Sequence, residues 1–245
     1  LGNAAAHHSQ ASKLLELANW IAQQTAAKVG YLTEAANTVG AQLVNAVPSN
    51  NGLNAHQMLS GGLKAAILLN TEPEFDSALG KSAVEALQRA EMVVTLSPFK
   101  ANLACSDVLL PIAPFTETPG TFVNAEGAVQ SFYAVVKPLG EARPAWKVIR
   151  AIADVLGLPG FGFESSQDVF KYIDSQLDGG LPAQVVGHRL SNTAAAFAQT
   201  STSGGLPCVA SIYQLDSVVR RASSLQLTAD GRAGQYAHPA SEVAP

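Results

Sequence analysis

The chain has 245 residues, is 47% hydrophobic and only 14% charged, and carries a formal net charge of -4. That charge argues against a nucleic-acid binder, which would carry a basic patch. The apolar runs fall far short of the roughly 20 residues that a membrane helix needs. Charged residues near a quarter are usual for a soluble domain, so some of the surface is expected to face other protein rather than water.

Taken in chain order, Ser9 to Ala27 reads as an amphipathic helix, with Leu14, Leu17, Ala18 and Ile21 on one face and Gly30 as its stop. A loop-rich stretch follows, carrying Asn37, Gly40, Pro48, Asn50, Asn51 and Gly52. The period then changes. Ala65 to Leu69 is a short continuous apolar run between Gly61-Gly62 and Asn70-Thr-Glu-Pro73, the pattern of a strand buried on both faces of a parallel sheet. Ser77 to Arg89 reads as a helix. Met92 to Leu96, stopped by Ser97-Pro98, reads as a second strand, and Val108 to Leu110 as a third.

Strand, helix, strand with short connections is a βαβ unit. The expected fold is therefore α/β: a doubly wound, mainly parallel sheet with flanking helices. Pro144 to Leu156 and Gln167 to Leu177 are two more helices, the first ended by Gly157. From Gly179 the organisation weakens. Thr200 to Gly205 has linker composition, Val209 to Tyr213 is strand-like, and Ala229 to Pro245 has the composition of a mobile tail. This divides the chain into an α/β region, 1–161, and an irregular C-terminal extension, 162–245. Leu1 stands where a start methionine would, and no charged, then apolar, secretory leader opens the chain. The expectation is a piece of a longer protein without such a leader.

In open α/β sheets ligands bind at the carboxyl ends of the strands. Three segments belong there: Asn70-Thr71-Glu72-Pro73, Ser97-Pro98, and the loop from Pro111 to Gly127. Their amides, Gly120 and small polar side chains suit a nucleotide or pterin, and equally suit plain turn chemistry. Neither G-x-G-x-x-G nor a P-loop occurs. Glu117 and Glu126 are carboxylates without a nucleophile or metal ligand beside them, and Asn124 reads as a loop brace. His7, His8, His56, His188 and His238 lack ligand spacing, as do Cys105 and Cys208, which are read as free thiols in a reducing compartment. No metal site is expected. Arg220-Arg221 is either a contact for an acidic partner or a solvated pair.

Two blocks carry a resemblance. Gly62-Leu-Lys64-Ala-Ala-Ile-Leu-Leu-Asn70 is one. The other runs through Asp107-Val-Leu-Leu-Pro111, Glu117, Gly120-Thr-Phe-Val-Asn124-Ala-Glu126-Gly127 and Gln130. Both resemble the molybdopterin oxidoreductases, and Glu34 to Ala41 is similar to that family's upstream Asn-x-x-Gly-Ala turn. Three further segments look like an iron–sulfur subunit of the bacterial NADH-quinone oxidoreductases (respiratory complex I). These are Asn70 to Asp76; Ala142 to Arg150 with Leu156 to Phe161; and Asp216 to Asp230.

The resemblance implies a C-terminal scaffold part of an electron-transfer subunit, with no cofactor or metal of its own and no catalytic residue. Its iron–sulfur clusters would lie in an N-terminal part outside this sequence. It also implies partners among the other subunits of the peripheral arm, and a peripheral place on the cytoplasmic side of the bacterial inner membrane. The relic pterin-site candidates are Asn70, Ser97, Gly120, Thr121, Asn124 and Glu126.

Two departures bear on the cofactor. Ala128 stands where the family usually has Arg after Glu-Gly, and Leu103-Ala104 where it often has Glu-Thr. Arginine is the natural partner of a pyrophosphate. Two alternatives remain. One is a pterin-dinucleotide-binding segment of an active molybdenum oxidoreductase, such as a formate dehydrogenase. The other is a free nucleotide-binding α/β module.

Overall fold

The computed structural model describes residues 1–183, apart from positions 7, 9 and 34, and residues 211–236. These fall into two compact units, 1–32 with 211–236, and 33–183.

The first unit is helical. It holds α1 (Asn3–Ala6), α2 (Ala11–Thr25) and four short helices, Ile212–Leu215, Ser217–Arg221, Ser223–Gln226 and Ala229–Tyr236. α2 ends earlier than the sequence suggests, because Ala26 rather than Gly30 takes the left-handed turn, at φ 55°. Its buried residues are Asn19 and Ala22, while Leu17 and Ile21 of the expected apolar stripe point outward.

Two expectations for the C-terminal stretch are overturned here. Ile212 and Tyr213 are helical, not strand-like, because Ser211 accepts from Tyr213 N at 3.3 Å and starts a helix. Asp216 does the same for the next helix, accepting from Val218 N at 2.9 Å and Val219 N at 2.8 Å. Ala229 to Tyr236 is likewise a helix rather than a tail. The predicted linker Thr200 to Gly205, together with Cys208, His188 and His238, lies outside the described residues.

The second unit is the α/β layer. It is built in order from α3 (Thr38–Leu43), α4 (Ala55–Leu59), β1 (Ala65–Leu69), α5 (Pro73–Asp76), α6 (Lys81–Leu87), β2 (Met92–Ser97) and β3 (Val108–Pro111). A 3-10 turn (Phe115–Glu117), β4 (Gly120–Val123), β5 (Val129–Phe132), α7 (Ala145–Val155) and α8 (Ser166–Gln176) complete it. β1, β2 and β3 form one parallel sheet in that order, with Ala65 opposite Met92 and Val94 opposite Val108. The expected α/β fold with a parallel sheet and flanking helices is present.

Register decides which residues share a face. Ala66, Leu68, Val93 and Thr95 lie on one side. There Leu68 and Val93 pack with Leu87 and Cys105, with Leu59, Val84 and Ala90 around them, so α4 and α6 cover that face. Val93, Leu87 and Leu96 are 1%, 2% and 0% exposed. Burying each such side chain contributes about 1.5–3 kcal/mol. On the opposite face Leu96 is buried, but Ile67 and Leu69 remain 62% and 46% exposed. β1 is therefore not buried on both faces as its apolar run implies. It is the end strand of this sheet, and no second helix layer reaches over it among the described residues.

The stretch from Pro111 to Gly127, read as one loop, contains secondary structure. β4 and β5 form an antiparallel hairpin, with Val123 opposite Val129. The hairpin packs into a second core in which Leu43, Val123 and Leu181 are buried against Val39, Val129, Phe170 and Leu177. α3 is part of that core, although the sequence reads there as loop. α8 begins with a capping box: Ser165 Oγ accepts from Asp168 N at 3.1 Å, and Asp168 Oδ2 accepts from Ser165 N at 2.9 Å. These bonds, Ser165 foremost, hold the Asp168 carboxyl below its usual range.

Candidate functional site

The carboxyl edge of the parallel sheet is where this architecture seats ligands. β1 is followed directly by Asn70, whose left-handed φ of 49° suits asparagine. Its N–H donates to Leu96 O at 2.8 Å, which sets Asn70 beside Ser97 at the end of β2. The carbonyl of Ser97 accepts from Ile112 N at 3.2 Å, just past β3. Asn70, Ser97 and the Pro111–Ile112 step thus form one contiguous edge, as the sequence order predicts.

The polar groups on that edge are tied to the chain itself. Ser97 is 4% exposed, and its Oγ accepts from Phe99 N at 3.1 Å. Glu72 is 7% exposed, and its N–H donates to Asp76 Oδ2 at 2.7 Å, the oxygen that also takes the Thr71 hydroxyl at 3.3 Å. The loop 98–107 folds back over the edge through Asn102. The Nδ2 of Asn102 donates to Thr71 O at 2.9 Å and reaches Thr95 Oγ1 at 3.4 Å. Thr95, wholly buried, shares a 2.7 Å hydrogen bond with Ser106. Sequence reasoning missed Asn102. The signal was an asparagine in a tight loop between two parallel strands, at a left-handed φ of 57°.

The remaining candidates lie on the hairpin, a separate sheet. Gly120 opens β4 opposite Phe132, and a Cβ built on it would stand 2.7 Å from Phe132 Cζ. A side chain at position 120 would therefore make the Phe132 ring shift, and that ring stands edge-on to Phe122 at 5.0 Å between centroids. Thr121 Oγ1 and Ser131 Oγ bond across the hairpin at 2.9 Å. Asn124 is a brace: its Oδ1 accepts from Glu126 N at 3.0 Å and Ala128 N at 2.8 Å. Gly127 allows that turn with φ 83°. Glu117 sits in the 3-10 turn and accepts from Leu139 N at 3.0 Å, apart from Glu126 in the hairpin turn.

Asn37 joins the two halves of this region. Its Oδ1 accepts from Val123 N at 2.8 Å across 86 residues. Gly40 makes room for it, since a Cβ there would lie 2.1 Å from that oxygen. The Asn-x-x-Gly spacing noted in the sequence is the imprint of this contact.

Elsewhere, Arg220 donates to Gln214 O and Arg221 to Ser217 O at 3.0 Å, so both guanidiniums brace helices of the first unit. Cys105 is buried and free, and burial pushes its thiol up, with Asp107 adding to the shift and Ser106 opposing it. Among the described residues no group of three or more His, Cys, Asp or Glu stands together as a metal site, and no helix is long and apolar enough to cross a membrane.

The chemistry on offer at the edge is binding rather than proton transfer: backbone amides, hydroxyls and an amide, with the buried Glu72 carboxylate among them. The cation of the loop, Lys100, is exposed. The N–H of Ala128, in the hairpin turn, is held by Asn124.

The sequence has relatives among known proteins. "Probable oxidoreductase YjgC" of Bacillus subtilis (strain 168) is 32% identical over 130 residues, covering 51% of this chain and 13% of that protein. "Putative formate dehydrogenase SAB2186c" of Staphylococcus aureus (strain bovine RF122 / ET3-1) is 50% identical over 59 residues, covering 24% of this chain and 6% of that protein. The chain therefore spans a small part of the length of either relative. Among solved structures, acetylene hydratase from Pelobacter acetylenicus matches with a TM-score of 0.38 and 23% identity, over 53% of this chain and 17% of that one. The model of the molybdopterin oxidoreductase family matches residues 2–155, well over half the sequence, and the chain belongs to that family.

Proposed function

We propose that this chain is a scaffold part of an iron–sulfur subunit of an NADH-quinone oxidoreductase, serving electron transfer from NADH to quinone without a redox centre of its own. In this reading the iron–sulfur clusters are carried by another part of the same subunit. The partners are other subunits of the peripheral arm, and the place is the cytoplasmic side of the bacterial inner membrane. The observation that carries the reading is the closed carboxyl edge. Ser97 and Asn102 are engaged with the chain's own backbone there, and Glu72 is buried beside them; on the hairpin, Asn124 is likewise taken up by backbone N–H groups, and Ala128 stands where the resemblance leads one to expect an arginine.

A second reading is a pterin-dinucleotide segment of an active molybdenum oxidoreductase. Its support is the formate dehydrogenase in the names of the staphylococcal relatives. Under it, the loops at Asn70, Ser97 and Gly120 would reopen to hold the cofactor, which would supply the two-electron chemistry.

Metal and pterin analysis of the whole polypeptide that carries this chain, purified without chelators, separates the two. Iron without molybdenum, tungsten or extractable pterin is the expected result. Stoichiometric molybdenum or tungsten with pterin would overturn the scaffold reading.

A further inference from the structure

Asn51 is the only asparagine of the sequence that is followed by glycine. The pair closes a tight turn on the way into α4. Gly52 N donates to Ser49 O at 2.8 Å, and the two residues between, Asn50 and Asn51, stand at φ 50° and 63°. Positive φ at both central positions is the geometry of a type I′ turn, which asparagine adopts more readily than other side-chain-bearing residues. Gly52 is held to glycine by a close approach, since a Cβ there would lie 2.9 Å from Ser49 O, a backbone atom that cannot swing aside. Residues 49–53 are all exposed.

Asparagine is a chemically labile residue. Its side-chain amide can be attacked by the backbone nitrogen of the next residue, and glycine puts no side chain in the way. The turn that demands glycine at 52 therefore also creates the weak point at 51. The same turn guards it: the Gly52 N–H is spent on Ser49 O, so attack waits until that bond opens. Asn37, Asn54, Asn102 and Asn124 are followed by Thr38, Ala55, Leu103 and Ala125, and their side chains are engaged with backbone groups.

We infer that Asn51 is a site of spontaneous deamidation, gated by the Ser49–Gly52 turn, and that its isoaspartyl product loosens α4. The backbone nitrogen of Gly52 bonds to Cγ of Asn51. The Cγ–Nδ2 bond breaks, and Nδ2 leaves as ammonia with the proton that Gly52 N gives up. Water then opens the resulting succinimide at either carbonyl, leaving an aspartyl or an isoaspartyl residue, with no change of oxidation state. The isoaspartyl link routes the main chain through the side chain and adds a methylene just before Asn54. Asn54 starts α4 through a capping box: its Oδ1 accepts from Gln57 N at 2.9 Å, and its N–H donates to Gln57 Oε1 at 2.9 Å. α4 in turn sets Leu59 against the core of Leu68, Leu87 and Val93. The inference is independent of which cofactor the polypeptide holds.

The test incubates the whole polypeptide that carries this chain at neutral pH and samples it over time. Trypsin then releases residues 29–64, which follow Lys28 and end at Lys64 and hold Asn37, Asn45, Asn50, Asn51 and Asn54. Tandem mass spectrometry locates the deamidated residue, and methylation by an isoaspartyl methyltransferase counts the isoaspartyl share. A synthetic peptide of residues 29–64 is the unfolded reference. Deamidation is expected first at Asn51, and about fivefold slower in the folded protein than in the peptide, the factor that one hydrogen bond supplies. Asn51→Gln should remove the product, because the longer side chain closes its ring far more slowly. Amide hydrogen exchange in α4 should be faster in the isoaspartyl form than in the unmodified protein, and unchanged in Asn51→Asp, which adds the charge without altering the main-chain path.

Deamidation first at another of these asparagines would overturn the inference. So would equal rates in protein and peptide, or no product at Asn51 in the protein once the peptide has converted completely. Unchanged α4 exchange in the isoaspartyl form would overturn the link to that helix.

Discussion

Gly40→Ala is expected to reverse the sign of its effect according to the residue at position 37. Gly40 lies inside α3, where alanine ordinarily stabilises by about 1 kcal/mol. Here the added Cβ would fall 2.1 Å from Asn37 Oδ1, so the Asn37 side chain must leave. It then releases Val123 N, which it holds at 2.8 Å, on a residue only 2% exposed. A buried donor left without its acceptor costs about 2 kcal/mol. The net effect of Gly40→Ala in the native chain is thus a loss of about 1 kcal/mol, after the helix gain.

Asn37→Ala alone should cost about 2 kcal/mol, because Asn37 makes no side-chain cap whose loss would add to it. In that background the three nearest obstacles to the new Cβ are gone, and Gly40→Ala should stabilise by about 1 kcal/mol, a coupling of about 2 kcal/mol between the sites. Urea unfolding of the four chains, followed by far-ultraviolet circular dichroism, measures this. Equal effects of Gly40→Ala in both backgrounds would refute the reasoning, as would stabilisation of the native chain.

Asn102→Ala removes the tie to Thr71 O and places alanine at a left-handed φ, so it should cost about 2 kcal/mol. Asn102→Gly should cost less, and the same unfolding assay would show the order. The Asp168 carboxyl is held low in the folded chain, so its support of α8 is present above the unfolded value of about 3.9 and is lost as pH falls through the lower folded value. A pH titration of helix content should show this acid loss, and it should be absent in Asp168→Ala. With Cys208→Ser as background, buried Cys105 should resist a disulfide-exchange reagent at pH 8 and react at once in denaturant. Fast native labelling would contradict its burial and raised pKa.

The strands were legible because a strand of a parallel sheet reads as an unbroken apolar run, even where, as in β1, one face stays open. Ala65 to Leu69, Met92 to Leu96 and Val108 to Leu110 each appear within a residue of their observed ends. α7 and α8 were legible from helical spacing in the same way. α3 was not, because it is six residues long and carries a glycine whose purpose, room for Asn37, depends on Val123 far along the chain. The β4–β5 hairpin was hidden for a related reason. Its strands are four residues each, and their partners are a ring contact at Gly120 and a side-chain brace at Asn124, neither of which has a periodicity. α6 is shorter than its apolar spacing suggests because Gly80, at φ 53°, separates it from the turn before it. At the candidate edge the order of Asn70, Ser97 and Pro111 was readable from strand ends. The closure of that edge by Asn102 was not, since it is a tertiary contact made by a residue with no motif around it.

The bond between Asn37 and Val123 has a bearing on how fast the fold comes apart. Pairing within the parallel sheet and across the hairpin joins residues that are near in sequence, and such contacts close short loops. The Asn37 contact spans 86 residues and carries a larger closure entropy. If that cost is met only after the transition state, the contact forms late on the folding path. Weakening it would then leave the refolding rate nearly untouched and raise the unfolding rate. Asn37 and Gly40 would therefore govern the lifetime of the native α/β layer more than the speed of its assembly.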